Sequence, residues 1–88
     1  MEDKIEELLK NGQRAEAIAC LEEYLKTETD EALLMQLGEL LFADGKKTEA
    51  MNKFNAVLRL NPDNTKARNY ITMIRGILDY FCKDLLNP

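Results

Sequence analysis

Apolar residues recur at helical spacing along most of the chain, in stretches separated by short polar segments. The clearest two stretches lie in the middle, where the first ends at Asp44-Gly45 and the second ends at Pro62. Glycine accepts a left-handed backbone cheaply at a helix end, and proline disfavours a helical residue before it. The pattern therefore predicts two helices joined by a turn at Asp44–Lys47. Their core-facing residues are predicted to be Leu34, Leu37, Leu41, Ala50, Phe54 and Val57.

The same spacing predicts further helices on both sides of this pair. Asp3–Lys10 and Arg14–Lys26 are each amphipathic and are separated by Asn11-Gly12. A longer helix is predicted from about Thr65 to Leu86. About five antiparallel helices around one core then make up an all-α protein. The predicted core residues of these flanking helices are Ile5, Leu8, Leu9, Ala17, Ile18, Leu21, Tyr24, Leu25, Ala67, Tyr70, Ile71, Ile74, Ile77, Leu78, Phe81 and Leu85.

The order of residues in the central pair resembles a tetratricopeptide repeat, a helix–turn–helix unit of about 34 residues. Two positions depart from that pattern, since Leu41 stands where an aromatic residue is commoner and Val57 where alanine is commoner. The chain as a whole resembles the small, stand-alone bacterial members of the family. The markers of the repeat fall on Leu34, Leu37-Gly38, Leu41, Gly45, Glu49-Ala50, Phe54, Val57 and Pro62.

The first third of the chain repeats part of this pattern. We therefore predict a single tetratricopeptide-like domain over residues 1–88, in three parts: a truncated first repeat at 1–29, a full repeat at 30–64, and a capping helix at 65–88. A cap is expected because an uncapped repeat exposes its apolar face. Thr29 or Asp30 can cap the start of the full repeat. The repeated residues are Gly12, Glu16-Ala17, Leu21 and Tyr24, each 33 positions before Gly45, Glu49-Ala50, Phe54 and Val57.

The length of 88 residues suits one small domain. No apolar run approaches the roughly 20 residues that a membrane span needs. The acidic start, Met-Glu-Asp-Lys, is unlike a secretory signal, so we expect a cytoplasmic protein. Cys20 and Cys82 are far apart and have no histidine to join them in a metal site, so we expect ordinary thiols in a reducing compartment.

Charge is distributed unevenly along the chain. Residues 1–44 hold twelve acids and four bases, a net charge of -8, whereas residues 45–88 hold four acids and eight bases, a net charge of +4. The two halves could favour head-to-tail contact or oriented docking, or they could be solvated surfaces that salt screens. The net charge of -4 and the scattered bases argue against a nucleic acid partner.

The residues needed for catalysis are largely missing. The chain has no histidine and no glycine-rich phosphate loop, and its paired acids lie on predicted helix exteriors or helix starts. Cys20 has no neighbouring base, which favours a small core residue over a nucleophile. We therefore expect no enzyme activity, no metal site and no cofactor.

Binding of another polypeptide is the function that remains. In the family that this chain resembles, the first helix of each repeat lines a concave face, and the resemblance places Ala32, Ala43, Lys66 and Gly76 there with six predicted protein-binding residues. Met35, Glu39 and Phe42 also share a helix face by spacing alone. Core packing stays open for Met35, Phe42 and Met73, and Gly76 either permits a close helix contact or is only tolerated. The six predicted protein-binding residues are Met35, Glu39, Phe42, Asn69, Met73 and Ile77.

One specialised binding mode of the family is predicted to be absent. Some tetratricopeptide proteins hold the acidic tail of heat-shock chaperones with Lys, Asn and Arg at groove positions. Of the matching positions here, only Asn69 is of a suitable type, and the others hold acids or methionines. A bound peptide is therefore expected to be apolar or basic. The matching positions are Glu2, Glu6, Met35, Glu39, Asn69 and Met73.

The end of the last helix carries apolar residues that the preceding repeat is too short to cover. These residues either fold back on the array or remain free as an apolar patch, which would mark an interface. The alternative to peptide binding is therefore a self-associating structural protein, a homodimer through this helix. The patch consists of Tyr80, Phe81, Leu85 and Leu86.

Overall fold

The computed structural model describes the backbone of residues 1–86 and the side chains of residues 1–80. This part of the chain forms an array of helices and contains no strand, which confirms the predicted all-α architecture. Each observed helix boundary lies within about two residues of its prediction. The helices are α1 (Glu2–Lys10), α2 (Arg14–Leu25), α3 (Glu31–Ala43), α4 (Lys47–Leu60) and α5 (Thr65–Leu86).

The turns between α1 and α2 and between α3 and α4 are built in the same way. Gly12 has a φ of 73° and Gly45 a φ of 80°, both in the left-handed region that glycine adopts without strain. The N–H of the residue after each glycine donates to the carbonyl oxygen five residues earlier, at 2.8 and 2.9 Å. This is the bond of a Schellman helix end, and it folds each pair of helices back into a hairpin.

The core is apolar, and α3 contributes to it more broadly than predicted. On α4 the predicted residues Ala50, Phe54 and Val57 are all fully buried. On α3 the predicted residues Leu37 and Leu41 are buried, and Leu33 is buried as well, whereas Leu34 is only half-buried. Leu34 packs against the core but is less buried than predicted, because α3 is the central helix and packs against both α2 and α4, so one apolar stripe does not describe it.

The other helices bury the middle of their predicted apolar faces. Ile5, Ala17, Ile18, Leu21, Ala67, Ile71 and Ile74 are buried as predicted. Leu8, Leu9, Tyr24, Leu25, Tyr70, Ile77 and Leu78 are half-buried instead, because they lie at the edges of the stripes. Phe81 and Leu85 lie outside the described side chains.

Gly38 allows α3 to approach α4 closely. A Cβ atom on Gly38 would lie 2.6 Å from Cε1 of Phe54. Phe54 has little freedom to move away, because the ring of Tyr70 stacks on it with a centroid separation of 4.6 Å and an interplanar angle of 11°. The positions 33 residues earlier hold Ile5 and Leu21, both fully buried. There the glycine is replaced by a larger residue and the phenylalanine by a smaller one.

Two helices begin with a side-chain cap. Asp30 Oδ1 accepts a hydrogen bond from the N–H of Leu33 at 3.0 Å, so Asp30 caps α3. Asn64 Oδ1 accepts from the N–H of Ala67 at 2.9 Å in the first turn of α5. Each cap satisfies a backbone donor that the helix itself leaves without a partner.

The loop before α5 is also held to the start of α3. Glu31 Oε2 accepts hydrogen bonds from Asn61 Nδ2 at 3.0 Å and from Asn64 Nδ2 at 2.7 Å. Bonds to a charged acceptor are among the stronger hydrogen bonds in proteins. Asn64 therefore has two tasks: its oxygen caps α5, and its nitrogen fixes the position of α5 relative to α3.

We expect Asn64→Asp to lower the free energy of unfolding by about 1 kcal/mol, measured by chemical denaturation. Aspartate is as good a helix cap as asparagine, but the new carboxylate cannot donate to Glu31 and repels it. Adding Glu31→Gln should recover most of the loss, because the glutamine amide can donate to that carboxylate. An Asn64→Asp variant as stable as the wild type would show that the contact with Glu31 contributes nothing.

The outward face of α5 is polar where α3 has apolar residues. Arg68, Thr72 and Arg75 are exposed, and they stand 34 residues after the α3 residues Leu34, Gly38 and Leu41. A following helix that packed on α5 as α4 packs on α3 would bury two guanidinium groups. Burial of unpaired charges is costly, so this face does not suit a further helix of the same kind.

Candidate functional site

The predicted site residue Glu39 lies where α3 meets α5. Its Oε2 atom accepts a hydrogen bond from the hydroxyl of Tyr70 at 3.1 Å and lies 3.3 Å from Nζ of Lys66. The carboxylate is therefore already partnered within the chain. It joins two helices as well as contributing negative charge to the surface.

Phe42 lies beside this polar cluster. Its ring meets Tyr70 edge-on, with centroids 5.6 Å apart and an interplanar angle of 68°. Nζ of Lys47 lies 5.7 Å from the Phe42 ring centroid, within cation–π range. Phe42 is half-buried, so it packs against α5 and also presents part of its ring to solvent.

Three predicted site residues continue along α5 at a spacing of four residues. Asn69 is exposed, Met73 is 45% exposed, and Ile77 is half-buried. Residues four apart lie on one face of a helix, so the three form a single strip next to Tyr70. We call the whole area the α3–α5 surface. It consists of Glu39, Phe42, Asn69, Tyr70, Met73 and Ile77.

Met35, the remaining predicted site residue, shares a face of α3 with Glu39 and Phe42 but is buried. Its side chain is 7% exposed and belongs to the buried core. This burial supports packing in the core over contact with a partner, the two roles left open for Met35. The reason is again the central position of α3, which is covered from more than one side. Met35 offers almost no area to a partner in this arrangement.

Tyr70 is the residue of the α3–α5 surface that the sequence prediction assigned only to the core. It stacks on Phe54, meets Phe42 edge-on and donates to Glu39. The available signal was its position three residues before Met73, on the same helix face. Gly76, by contrast, makes no close contact, since a Cβ atom there would meet nothing within 4 Å.

The environment of Tyr70 changes the pKa of its phenol. Burial raises this pKa above its ordinary value of 10.0, and the hydrogen bond and negative charge of Glu39 raise it further, against the opposing charge of Lys66. The unfolded chain therefore releases the phenol proton at a lower pH than the folded chain. The contribution of Tyr70 to the free energy of unfolding therefore does not vary with pH below about pH 10. It falls as the pH rises from there through the raised pKa.

Tyr70→Phe should consequently flatten the loss of stability at alkaline pH. We expect the free energy of unfolding of the wild type to fall more steeply than that of Tyr70→Phe as the pH rises above about 10. Denaturant unfolding at a series of alkaline pH values measures both slopes. Equal slopes would contradict the raised pKa.

The predicted patch at the end of α5 lies mostly outside the described side chains. Tyr80 is 69% exposed, whereas Phe81, Leu85 and Leu86 are not among the side chains that the structure describes. Of the two cysteines, Cys20 is a half-buried free thiol. Cys82 lies beyond the described side chains.

Two further observations concern metal sites and membrane-spanning helices, and both apply to the described part of the chain. Among them, no group of three or more His, Cys, Asp or Glu side chains is arranged to hold a metal ion. No helix in that part of the chain is both long and apolar enough to cross a membrane.

In the described part of the chain, two helical hairpins with matching glycine turns are followed by α5, and this arrangement defines a helical-repeat protein. A family model described as tetratricopeptide repeat matches residues 31–64, and the chain belongs to this family. It is 33% identical over 60 residues to anaphase-promoting complex subunit 7 of Arabidopsis thaliana, a match that covers 68% of this chain. The match spans only 11% of that relative. No solved structure matches the chain significantly.

Tetratricopeptide repeats generally mediate interactions between proteins and are generally not catalytic. Membership of the family therefore indicates a binding role for this chain.

Proposed function

We propose that the chain is a non-catalytic protein-interaction module that binds a peptide or helix of a partner at the α3–α5 surface. The observation that carries this proposal is the exposure of Met73, which is 45% exposed and lies three residues along α5 from Tyr70, whose ring meets Phe42. Methionine is flexible and polarisable, so it adapts to apolar partners of different shape. The surface thus combines an adaptable apolar centre with the polar groups of Glu39 and Asn69 at its margin.

The charges nearby favour an apolar or basic partner segment over an acidic one. Glu2 and Glu6 are exposed on α1, which by the family pattern lies on the same side of the array as α3 and α5. Neither forms an ion pair with another described residue. Lysine or arginine in the partner would find these carboxylates available, whereas an acidic tail would be repelled.

The subdivision of the chain is part of this proposal. Residues 1–29 act as a truncated first repeat, 30–64 as the full repeat, and 65–88 as the cap. The polar face of Arg68, Thr72 and Arg75 supports the cap, because it does not suit a further helix. The Arabidopsis relative is by name a subunit of a complex, which supports a role in assembly. The cytoplasmic location and the homodimer stay predictions.

Selection of a displayed library of random peptides tests the proposed surface. We expect the enriched peptides to combine apolar residues with lysine or arginine, and we expect Met73→Glu to weaken their binding at least about tenfold. The matched control is Thr72→Glu, which places the same charge at an exposed position on the outward face of α5 and should leave binding unchanged. Enriched peptides that are acidic, or that bind Met73→Glu as well as the wild type, would refute the assignment.

A further inference from the structure

A second apolar depression lies between α2 and α4. Two adjoining cavities of about 280 and 220 Å³ share Leu25 of α2 and Leu34 of α3 as lining residues. Leu60, near the end of α4, lines the larger cavity and is 47% exposed. We call this depression the α2–α4 groove, and Leu25, Leu34 and Leu60 its apolar floor.

The α2–α4 groove is separate from the α3–α5 surface. Among the side chains that the structure describes, none from α1 or α5 lines either cavity, and neither do those of Glu39 and Phe42. Along α3, at about 100° per residue, Leu34 points roughly 80° away from Phe42 and roughly 140° away from Glu39. A partner in the groove would therefore leave the α3–α5 surface accessible.

The two sides of the groove carry opposite charges. Glu22 and Glu28, which we call the acidic rim, lie on α2 and just after it, whereas Lys53 and Arg59, the basic rim, lie on α4. Lys26 also lines the smaller cavity on the acidic side, but its Nζ atom lies 3.0 Å from Oε2 of Glu23, which balances its charge. None of the four rim residues forms an ion pair with another described residue. The rims are therefore available to charges on a partner.

We propose that the α2–α4 groove is a second docking site, and that its occupant is an amphipathic helix with an apolar stripe between one acidic and one basic flank. The apolar floor would supply affinity, and the two rims would fix the orientation of the helix. Lys53 and Leu60 are seven residues apart on α4, about 10 Å, so the contact covers roughly two turns of the partner. With both sites occupied, the chain would join two partner segments.

Two labelled synthetic peptides test this proposal by fluorescence anisotropy. Both form helices with the same leucine stripe; the first has acids on one flank and bases on the other, and the second has bases on both flanks. The wild type should bind the first peptide at least about tenfold more tightly. Lys53→Glu with Arg59→Glu makes both rims acidic and should reverse the preference.

Matched variants separate the groove from general charge effects and from the α3–α5 surface. Lys4→Glu with Arg75→Glu makes the same change in net charge on α1 and α5, and it should leave the preference as in the wild type. Leu60→Glu should weaken binding of the first peptide at least about tenfold, whereas Met73→Glu should leave that binding unchanged. Circular dichroism checks that each variant is folded.

Four results would overturn the second site. The first three are failure of both peptides to bind, an unchanged preference in the Lys53→Glu and Arg59→Glu variant, and an equal reversal in the charge control. The fourth is that Met73→Glu weakens binding of the first peptide and Leu60→Glu does not. That result would also support the α3–α5 surface. Failure of the α2–α4 groove leaves the proposed function at the α3–α5 surface intact.

Discussion

Met35→Glu is expected to lower the free energy of unfolding by about 3 kcal/mol or more, whereas Met73→Glu should change it by less than about 0.5 kcal/mol. The chemical change is the same, but Met35 is 7% exposed and Met73 is 45% exposed. A carboxylate at position 35 would have to be buried in an apolar core without a partner. At position 73 it would remain in water.

Thermal and denaturant unfolding of the two variants measure this contrast. Met73→Glu, although stable, should also fail to bind the peptides selected against the wild type. Equal stability of the two variants would show that Met35 is accessible and that the concave side is open at α3. A large loss of stability for Met73→Glu would show that Met73 is a packing residue and would remove it from the α3–α5 surface.

Gly38→Ala is expected to destabilise the protein by about 2 kcal/mol, even though alanine is the better helix former. The added methyl group would lie 2.6 Å from the Phe54 ring, which Tyr70 holds in place by stacking. Gly76→Ala is the matched control, because a Cβ atom there meets nothing within 4 Å. It should raise stability by up to about 1 kcal/mol.

The first helix pair suggests how the Gly38→Ala loss can be rescued. There Ile5 and Leu21 occupy the positions of Gly38 and Phe54, and both are fully buried. We therefore expect Phe54→Leu to offset part of the loss, so that the double variant is more stable than the sum of the single effects by about 1 kcal/mol. Additive effects would show that the Phe54 ring does not limit the space at Gly38.

The helices and most of the core could be predicted from local sequence signals. Gly12 and Gly45 end helices because they adopt positive φ, and Pro62 follows α4 closely. The fully buried residues of α4 follow one helical stripe. Leu34 and Met35 were harder, because periodicity assigns one apolar face to each helix and α3 is covered on more than one side.

The α3–α5 surface depends on contacts that a linear pattern does not contain. Glu39 and Tyr70 are 31 residues apart, and their hydrogen bond depends on how α5 lies against α3. The α2–α4 groove has the same origin, since Leu25 and Leu60 come together only through packing on α3. Sequence spacing identifies which side chains share a face, but the packing of helices decides which faces meet.

The structure also shows how the uneven charge is partly balanced within the chain. Lys66 of the basic half pairs with Glu39 of the acidic half at 3.3 Å, and Lys46 lies 3.8 Å from Asp44. These pairs are at least half exposed on the lysine side, so each contributes little to stability. They nevertheless show that the two halves neutralise each other in part before any partner binds.

The most direct test of the proposed function is a map of backbone amide chemical shifts during titration with a peptide selected against the wild type. We expect the largest changes at Glu39–Phe42 on α3 and at Asn69–Ile77 on α5. The same residues should be unaffected in Met73→Glu. Changes confined to α2 and α4, with none on α5, would contradict the assignment of the binding site to the α3–α5 surface.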